Sequence, residues 1–556
     1  MTIMSGARAF LEMLRAEGVE IIFGNPGTSE SAIMALLPEY PDIRYLLATQ
    51  EGVAMGMADG YSVAGSRPAV VNLHIETGLA NGISLLHHAM DGGVPLILTA
   101  GNKDVRKLTE YRTDLAGMVN QFTKWSVEAT HPEQIPGIMR RAFQEAKNPP
   151  SGPVFVGFSA NALDGMAEMA IVPSAPPHLT PSPHLHEIRA AAQLLASASN
   201  PLIVVGDRLA QAEGMTAAVT VAEQCGAGVY AASIARNNFP TGHPQFLGRV
   251  NPTLTPGRQL LTGADVVLAV GANVFSGFFY LPGSNLGPGT KLIHLDSAQR
   301  EIGKTEPTDV ALFGDPRLGL ELLTEVLEEV MDPKARDRAL ARRAAWQEHT
   351  SQARAAWSRR LGERWDARPM PTERMMHEIS QVLPETAVLL DDSLSSKDAL
   401  HAALKFDEPG SLYGERIGAI GWGMGAALGA KLAQPHRPVV AVVGDGSSMM
   451  TVQALWTAAN YGIPAVYLVC NNRSYRILKL NMNIHRQEIL GESVGEGFEG
   501  YVGMDFPLPL NIAGIAEAIG VYGRTISDPE DIGPELIRAL DSGKPAVLDV
   551  VIDGSI

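Results

Sequence analysis

Pro438-Val439-Val440-Ala441-Val442-Val443-Gly444-Asp445-Gly446-Ser447, followed further on by Ala465 to Cys470 running into Asn471-Asn472, decides the fold. The first apolar run reads as a buried strand of a parallel sheet, Gly444-Asp445-Gly446 as its turn, and Ser448 to Asn460 as a helix. The second apolar run delivers two asparagines at its end. Neighbouring parallel strands finish on one edge of a sheet, so Asp445 and Asn472 can meet there although far apart in sequence. A carboxylate and an amide oxygen suit Mg2+, whose octahedron waters and a substrate phosphate would complete, and a helix start after the glycine turn suits that phosphate.

Composition narrows the rest. The 556 residues are 46% hydrophobic and 19% charged, enough to bury several domain cores. The formal net charge of -16, without a basic run, argues against nucleic acid as a partner. Cys225 and Cys470 are the only cysteines and both sit in apolar runs, so no disulfide framework is expected and a reducing, cytoplasmic setting is. No uninterrupted apolar stretch reaches membrane-spanning length, and Met1 to Glu20 reads as an amphipathic helix, so no membrane partner is expected.

Along the chain, strands and helices alternate, which predicts an α/β fold of doubly wound parallel sheets. In a first unit, residues 1–175, strands are expected at Ile21-Ile22-Phe23, Tyr45 to Leu47, Ala69 to Leu73, Pro95 to Thr99 and Pro153 to Val156, with a helix opening near Glu51. The stretch from Val172 to His186 is rich in Pro, Ser and His and reads as a linker. A second unit, 187–340, has strands at Pro201 to Val205, Gly228 to Ala231, Asp265 to Val270 and Lys291 to Leu295 and resembles a modified dinucleotide-binding fold. Its Val205-Gly206-Asp207 lacks the full glycine fingerprint, so a bound nucleotide or FAD stays open. Leu318 to Arg360 reads as a charged helical connector. A third unit, 370–556, holds the strand ending in Asp391-Asp392-Ser393, a small-residue helix opened by Gly418 to Gly429, and the Asp445 motif. The first and third units could share a topology.

Gly-Asp-Gly, a spacer and Asn-Asn resemble the diphosphate and Mg2+ motif of thiamine diphosphate (ThDP) enzymes. Glu51, in Ala48-Thr49-Gln50-Glu51-Gly52-Val53-Ala54, matches their glutamate that bonds N1' of the aminopyrimidine, where a carboxyl proton favours the imino form. Gly418 and Ile420 match a backbone acceptor for the aminopyrimidine and an apolar wedge that bends the cofactor. The resemblance implies Asp445, Asn472 and the Ser474 carbonyl as Mg2+ ligands, with Ser395, Gly446, Ser447 and Tyr475 around the diphosphate. It also implies a cofactor shared between the first domain of one subunit and the third of another, hence a dimer or tetramer.

Within that family the sequence is most similar to the benzoylformate decarboxylase group, through Phe23-Gly24-Asn25-Pro26-Gly27, Leu73-His74 and Ala454-Leu455-Trp456-Thr457-Ala458-Ala459. The resemblance places Thr28 on the substrate carboxylate and His74 in proton transfer, work that an imidazole suits. It implies decarboxylation of a 2-keto acid through an enamine, giving an aldehyde or a carboligation product. Three departures keep alternatives open. Phe278 stands where the group has a second histidine, and could line a substrate pocket or pack in a core. Glu76, two residues after His74, could act as an acid or repel a carboxylate. Ile477 lies beyond the metal motif in a pocket position, near Arg476 and Lys479, which could meet an anionic substrate or be surface charges. Gly491 to Gly500 reads as a lid or a plain loop. The alternatives are an aldehyde lyase, carboligase or acetolactate-synthase-like transferase, and a noncatalytic ThDP-binding regulatory protein.

Overall fold

A computed structural model describes the chain except positions 108, 176–179, 233–234, 253, 276 and 494–499. Part of the expected linker and most of the Gly491 to Gly500 segment thus lie outside the described residues.

Three six-stranded sheets, all parallel, follow one another along the chain. The first orders its strands Arg44–Leu47, Ile21–Asn25, Ala69–Leu73, Leu96–Asn102, Val154–Ser159 and Trp125–Ala129 across the sheet. The third runs Leu412–Gly414, Val388–Asp392, Val439–Gly444, Val466–Asn471, Ala546–Val551 and Tyr522–Ile526. Counted in chain order within each unit, the two sheets have the same arrangement, so the shared topology is real. The middle sheet runs Phe246–Arg249, Gly228–Ala231, Pro201–Val205, Val266–Val270, Lys291–Asp296 and Val310–Phe313, the strand order of dinucleotide-binding folds.

Several elements differ from expectation, chiefly at edges. Strands Trp125–Ala129, Phe246–Arg249, Val310–Phe313, Leu412–Gly414 and Tyr522–Ile526 are unexpected; all five are sheet edges, and each is short or interrupted by polar residues. The first residues are not helix: Thr2–Ser5 pairs antiparallel with Met166–Met169, and the amphipathic helix is Gly6–Ala16, capped by Ser5. The helix expected from Ser448 is two, Asp445–Met450 and Ala454–Tyr461. Thr451 breaks it, leaving helical geometry as its hydroxyl donates to the Gly421 carbonyl.

The charged connector is also two helices, Pro316–Val330 and Pro333–Glu363, separated at Met331-Asp332 where Asp332 caps the second. It is more than a spacer. Arg338 donates to the Ala196 carbonyl, Arg342 to those of Ala198 and Cys225, and Arg354 to that of Gly242. Cys225 and Cys470 are both free and buried. Among the described residues no helix is long and apolar enough to cross a membrane.

Alternation along the third sheet divides its packing. Leu390, Ala441 and Val469 share a core with Phe23, Val71 and Leu98 of the first sheet, while Leu389, Val440 and Leu468 join the core containing Val205 and Leu268 of the middle one. Between the first and third sheets, helix Glu51–Gly65 crosses helix Trp422–Ala433 at glycines. A Cβ on Gly60 would lie 2.1 Å from the Ala426 carbonyl oxygen, and one on Gly429 1.9 Å from that of Met57. Both obstacles are backbone and cannot rotate away.

Gly429→Ala is therefore expected to destabilise the protein by about 1–3 kcal/mol or more through overpacking, read as a lower apparent midpoint in thermal unfolding. Gly362→Ala, where a Cβ meets nothing within 4 Å in a helix, should raise stability by up to ~1 kcal/mol.

Candidate active site

Strands Val439–Gly444 and Val466–Asn471 are neighbours in register, with Gly444 opposite Cys470, so Asp445 and Asn472 leave adjacent strand ends. Asp445 is buried; its Oδ1 accepts from the Gly446 N–H at 2.8 Å and its Oδ2 from the Arg473 N–H at 2.8 Å. Arg473 has a left-handed φ of 58°, which turns the chain so that the Asn472 Oδ1 accepts from the Ser474 N–H at 3.0 Å. Burial, helped by Asp549, pushes the Asp445 carboxyl up to about 6. The Ser474 hydroxyl is buried with no partner among the described residues. A cation here would rest on one carboxylate, one amide and a backbone carbonyl, since no group of three His, Cys, Asp or Glu forms a site among the described residues. That oxygen set, around an under-compensated carboxylate, fits Mg2+.

Gly446 and Tyr475 meet, since a Cβ on Gly446 would lie 2.4 Å from the Tyr475 ring, which packs edge-on against Phe506. Ser395 lies on the other side, its hydroxyl 3.4 Å from the Asn472 amide nitrogen. Ser447 turns inward. Its hydroxyl donates to Asp392 at 2.6 Å and accepts from the Gly421 N–H at 2.8 Å. The same Asp392 oxygen accepts the Gly421 and Gly423 N–H groups, each at 3.0 Å. Asp392, which burial and Glu415 push up to about 7, is thus the anchor of the glycine turn; it stood visibly at a strand end in the sequence. Gly418, at φ 75°, has nothing within 4 Å of where a Cβ would be. Its carbonyl accepts from the Ile420 N–H at 2.9 Å and keeps a second lone pair. Ile420 is half-buried beside it.

In the first domain, Glu51 opens its helix where Gln50 caps the Val53 N–H. The carboxylate is 8% exposed, and each oxygen accepts from a side-chain amide, Asn25 at 3.0 Å and Asn81 at 3.1 Å. Asn81 was missed in the sequence, although His74, Gly78 and Asn81 are spaced as one helical face. His74 caps helix Ile75–Asp91, and Ile75 holds a strained φ of 31°. The ring lies against Gly27, and its Nδ1 is 2.8 Å from the Ser29 hydroxyl and 3.1 Å from the Glu30 carboxylate. Glu30 is wholly buried and also accepts from the Gly27 and Gly101 N–H groups and the Ser29 hydroxyl. This network assigns the proton to Nδ1 and leaves Nε2 as the outward lone pair. Sequence reasoning missed Glu30, whose only signal is an acid buried in a glycine-rich loop.

The remaining positions are less gathered. Thr28 is exposed beside Ser29, its carbonyl accepting from Ser31. Glu76 is half-buried, with Oε2 buried and without a partner among the described residues. Ile477 is half-buried on helix Arg476–Ile484; on the same helix Lys479 is buried and bonds Asp505. Phe278 is 95% exposed on a middle-domain loop, edge-on to Phe279, whose ring faces His485 at 5.9 Å.

Three thiamine pyrophosphate enzyme models match the chain in order: the N-terminal TPP binding domain over residues 4–124, the central domain over 188–323 and the C-terminal TPP binding domain over 395–550. The benzoylformate decarboxylase of Pseudomonas aeruginosa is 32% identical over 559 residues, 98% of each chain. The chain belongs to the thiamine pyrophosphate enzyme family. The acetolactate synthase isozyme 3 large subunit of Escherichia coli is 27% identical, over 100% of this chain and 96% of that one. Among solved structures, the thiamine diphosphate-dependent 4-hydroxybenzoylformate decarboxylase of Rhodococcus jostii RHA1 is 28% identical with a TM-score of 0.83, covering 99% of this chain and 100% of that one. With these relatives, this thiamine pyrophosphate enzyme stands among the lyases and carboligases, and its first and third domains are its cofactor-binding domains.

A carboxyl held up at about 6 binds a cation only when it has lost its proton. Mg2+ affinity of this thiamine pyrophosphate enzyme should therefore fall as pH drops through about 6. Without the ion the sign is the reverse, since a raised carboxyl costs stability as pH rises from its ordinary value toward about 6. Mg2+-dependent thermal shifts at pH 7.5 and 5 check both, and Asp445→Asn should abolish the shift.

Proposed function

We propose that this enzyme decarboxylates a 2-keto acid of the benzoylformate type with ThDP and Mg2+, releasing an aldehyde or passing the two-electron fragment to an acceptor carbonyl. The observation that carries it is Glu51, buried at a helix start with both oxygens held by amides, in a chain 32% identical to a benzoylformate decarboxylase. Bound ThDP supplies an electron sink for breaking the carbon–carbon bond beside a carbonyl.

The chain's own residues do the rest. Asn25 and Asn81 fix the Glu51 carboxyl so that it can hold a proton against N1' of the aminopyrimidine. Gly418 offers its free carbonyl lone pair to the same ring, and Ile420 an apolar surface. Asp445, Asn472 and the Ser474 carbonyl hold Mg2+, with Gly446, Tyr475 and Ser395 at the diphosphate. Thr28 meets the substrate carboxylate. Glu30 keeps the His74 proton on Nδ1, so that Nε2 takes and returns a proton at the substrate oxygen. Glu76, with an oxygen unpartnered among the described residues, the half-buried Ile477 and the exposed Phe278 of the middle-domain loop shape what can enter. Exposed Ile417, Met449 and Met450 near the glycine turn support a self-associated holoenzyme.

Carboligation or an acetolactate-synthase-like transfer is the second reading, favoured by phenylalanine at 278 and 279 and by the acetolactate synthase relative. Carbon dioxide release from a panel of aromatic and aliphatic 2-keto acids, with product analysis after adding an acceptor aldehyde, separates the two. Free benzaldehyde from benzoylformate supports decarboxylation; carbon dioxide release with a coupled product and no free aldehyde supports the synthase-like transfer, and hydroxyketones from aldehydes alone, without carbon dioxide release, support a lyase or carboligase.

Glu51→Gln should lower kcat by ~100-fold or more with an unchanged circular dichroism spectrum. Full turnover by that variant would sink the mechanism. Glu30→Gln should lower kcat by ~10-fold or more, as His74 loses its fixed tautomer, and should broaden the pH profile of kcat.

A further inference from the structure

The glycine turn that faces the cofactor is strained before it reaches a glycine. Ile417 is a β-branched residue at φ 53°, in the left-handed region. Such a conformation persists only where the surroundings enforce it. Within one chain its own side chain does not, being 48% exposed. Nor does packing behind it, because a cavity of about 830 Å3 is lined by Ile417, Arg416 and Asp207.

Hydrogen bonds hold the turn instead, on both sides. After the strained residue, Gly421 and Gly423 are bonded to Asp392, and the Trp422 indole N–H donates to Asp59 of the first domain at 2.9 Å. Asp59 is in turn bonded to His88, whose ring stacks on Trp422. Before it, the buried guanidinium of Arg416 crosses to the middle domain. Its Nε donates to Asp207 Oδ2 at 3.2 Å and its Nη2 to the Ala235 carbonyl at 3.3 Å. The Gly414 N–H bonds the same carbonyl at 2.9 Å. Arg416 also lies against Gly92, where a Cβ would sit 2.7 Å from its Nη1.

Asp207 is well placed for this. It opens helix Asp207–Gln211 directly after strand Pro201–Val205, beside strand Val266–Val270, where the order of the middle sheet reverses. Open α/β sheets usually receive ligands at that edge. Here its carboxylate grips another domain. Asn238 bonds the other oxygen at 3.1 Å, and Gly206 is pinned because a Cβ would sit 2.5 Å from the Gly271 carbonyl oxygen.

We infer that Asp207 of the middle domain is a positioning residue for the cofactor turn, holding the strained Ile417-Gly418 backbone in place through Arg416. The inference rests on the reading that Gly418 and Ile420 receive ThDP. It gives the middle domain a part in cofactor binding without any contact to the cofactor from Asp207 itself.

The test is ThDP binding by calorimetry, in saturating Mg2+, on the full chain and on Asp207→Asn. The variant should bind about tenfold more weakly, while kcat at saturating ThDP falls no more than about twofold. Adding Ile417→Gly, which removes the steric cost of the left-handed backbone, should restore affinity to within about threefold. A loss that Ile417→Gly does not repair is general damage and overturns the inference, as does Asp207→Asn binding ThDP as tightly as the parent. If the amide variant does not fold, Asp207→Glu keeps the charge on a longer arm, and unchanged affinity there together with unchanged affinity in Arg416→Lys overturns it equally. Failure of the parent chain to bind ThDP would instead refute the cofactor reading.

Discussion

Everything at the site depends on two helix backbones touching. Where Glu51–Gly65 crosses Trp422–Ala433, carbonyl oxygens occupy the space that β-carbons would need at Gly60 and Gly429. Close approach of this kind excludes water and leaves each helix start aimed at the edge of its own sheet. Glu51 is the first residue of one helix, and the turn ending at Gly421 leads into the other. Within one chain the crossing therefore sets where Glu51 and the turn ending at Gly421 stand, before any hydrogen bond refines them.

Refinement comes from carboxylates held by neutral donors rather than by cations. Glu51 is held by two amides, Asp392 by two backbone N–H groups and a hydroxyl, Asp445 by two backbone N–H groups, and Glu30 by backbone, hydroxyl and imidazole donors. Neutral donors fix an acid in position yet leave its charge uncancelled. A site built this way stays receptive to a bound divalent ion and to a proton, which a lysine or arginine partner would pre-empt.

The sequence made the fold and the outline of the site legible because both rest on local signals. Long apolar runs ending in glycine, acid or amide marked the central strands, and the Gly444 to Asn472 spacing marked the metal edge. Five of the six edge strands escaped because they are short or interrupted by polar residues, whereas Arg44–Leu47, with its Tyr-Leu-Leu run, did not. Asn81, Glu30 and Asp392 escaped, or stood without a role, for another reason. Each acts through a partner 30 to 55 residues away, and a single sequence carries no sign of such pairings. Ser447 shows the converse, since a residue in the right motif spends its hydroxyl on Asp392. Ser448 to Asn460 read as one helix because nothing local announces that Thr451 will turn toward Gly421.

The long basic helix Pro333–Glu363 ties down mostly through arginines whose acceptors are main-chain carbonyls, with one acid, Glu223, taken by Arg343. Two of those carbonyls, of Ala196 and Cys225, close the ends of helices Leu185–Ser197 and Met215–Cys225, where positive charge is welcome. Guanidinium groups keep their proton throughout the range in which carboxyls titrate, and a carbonyl has none to gain. Those main-chain ties consequently have no titrating partner. Acidification acts instead at the strand-end carboxyls of Asp445 and Asp392, raised to about 6 and about 7, so the proton-sensitive edge and these ties are chemically distinct parts of the molecule.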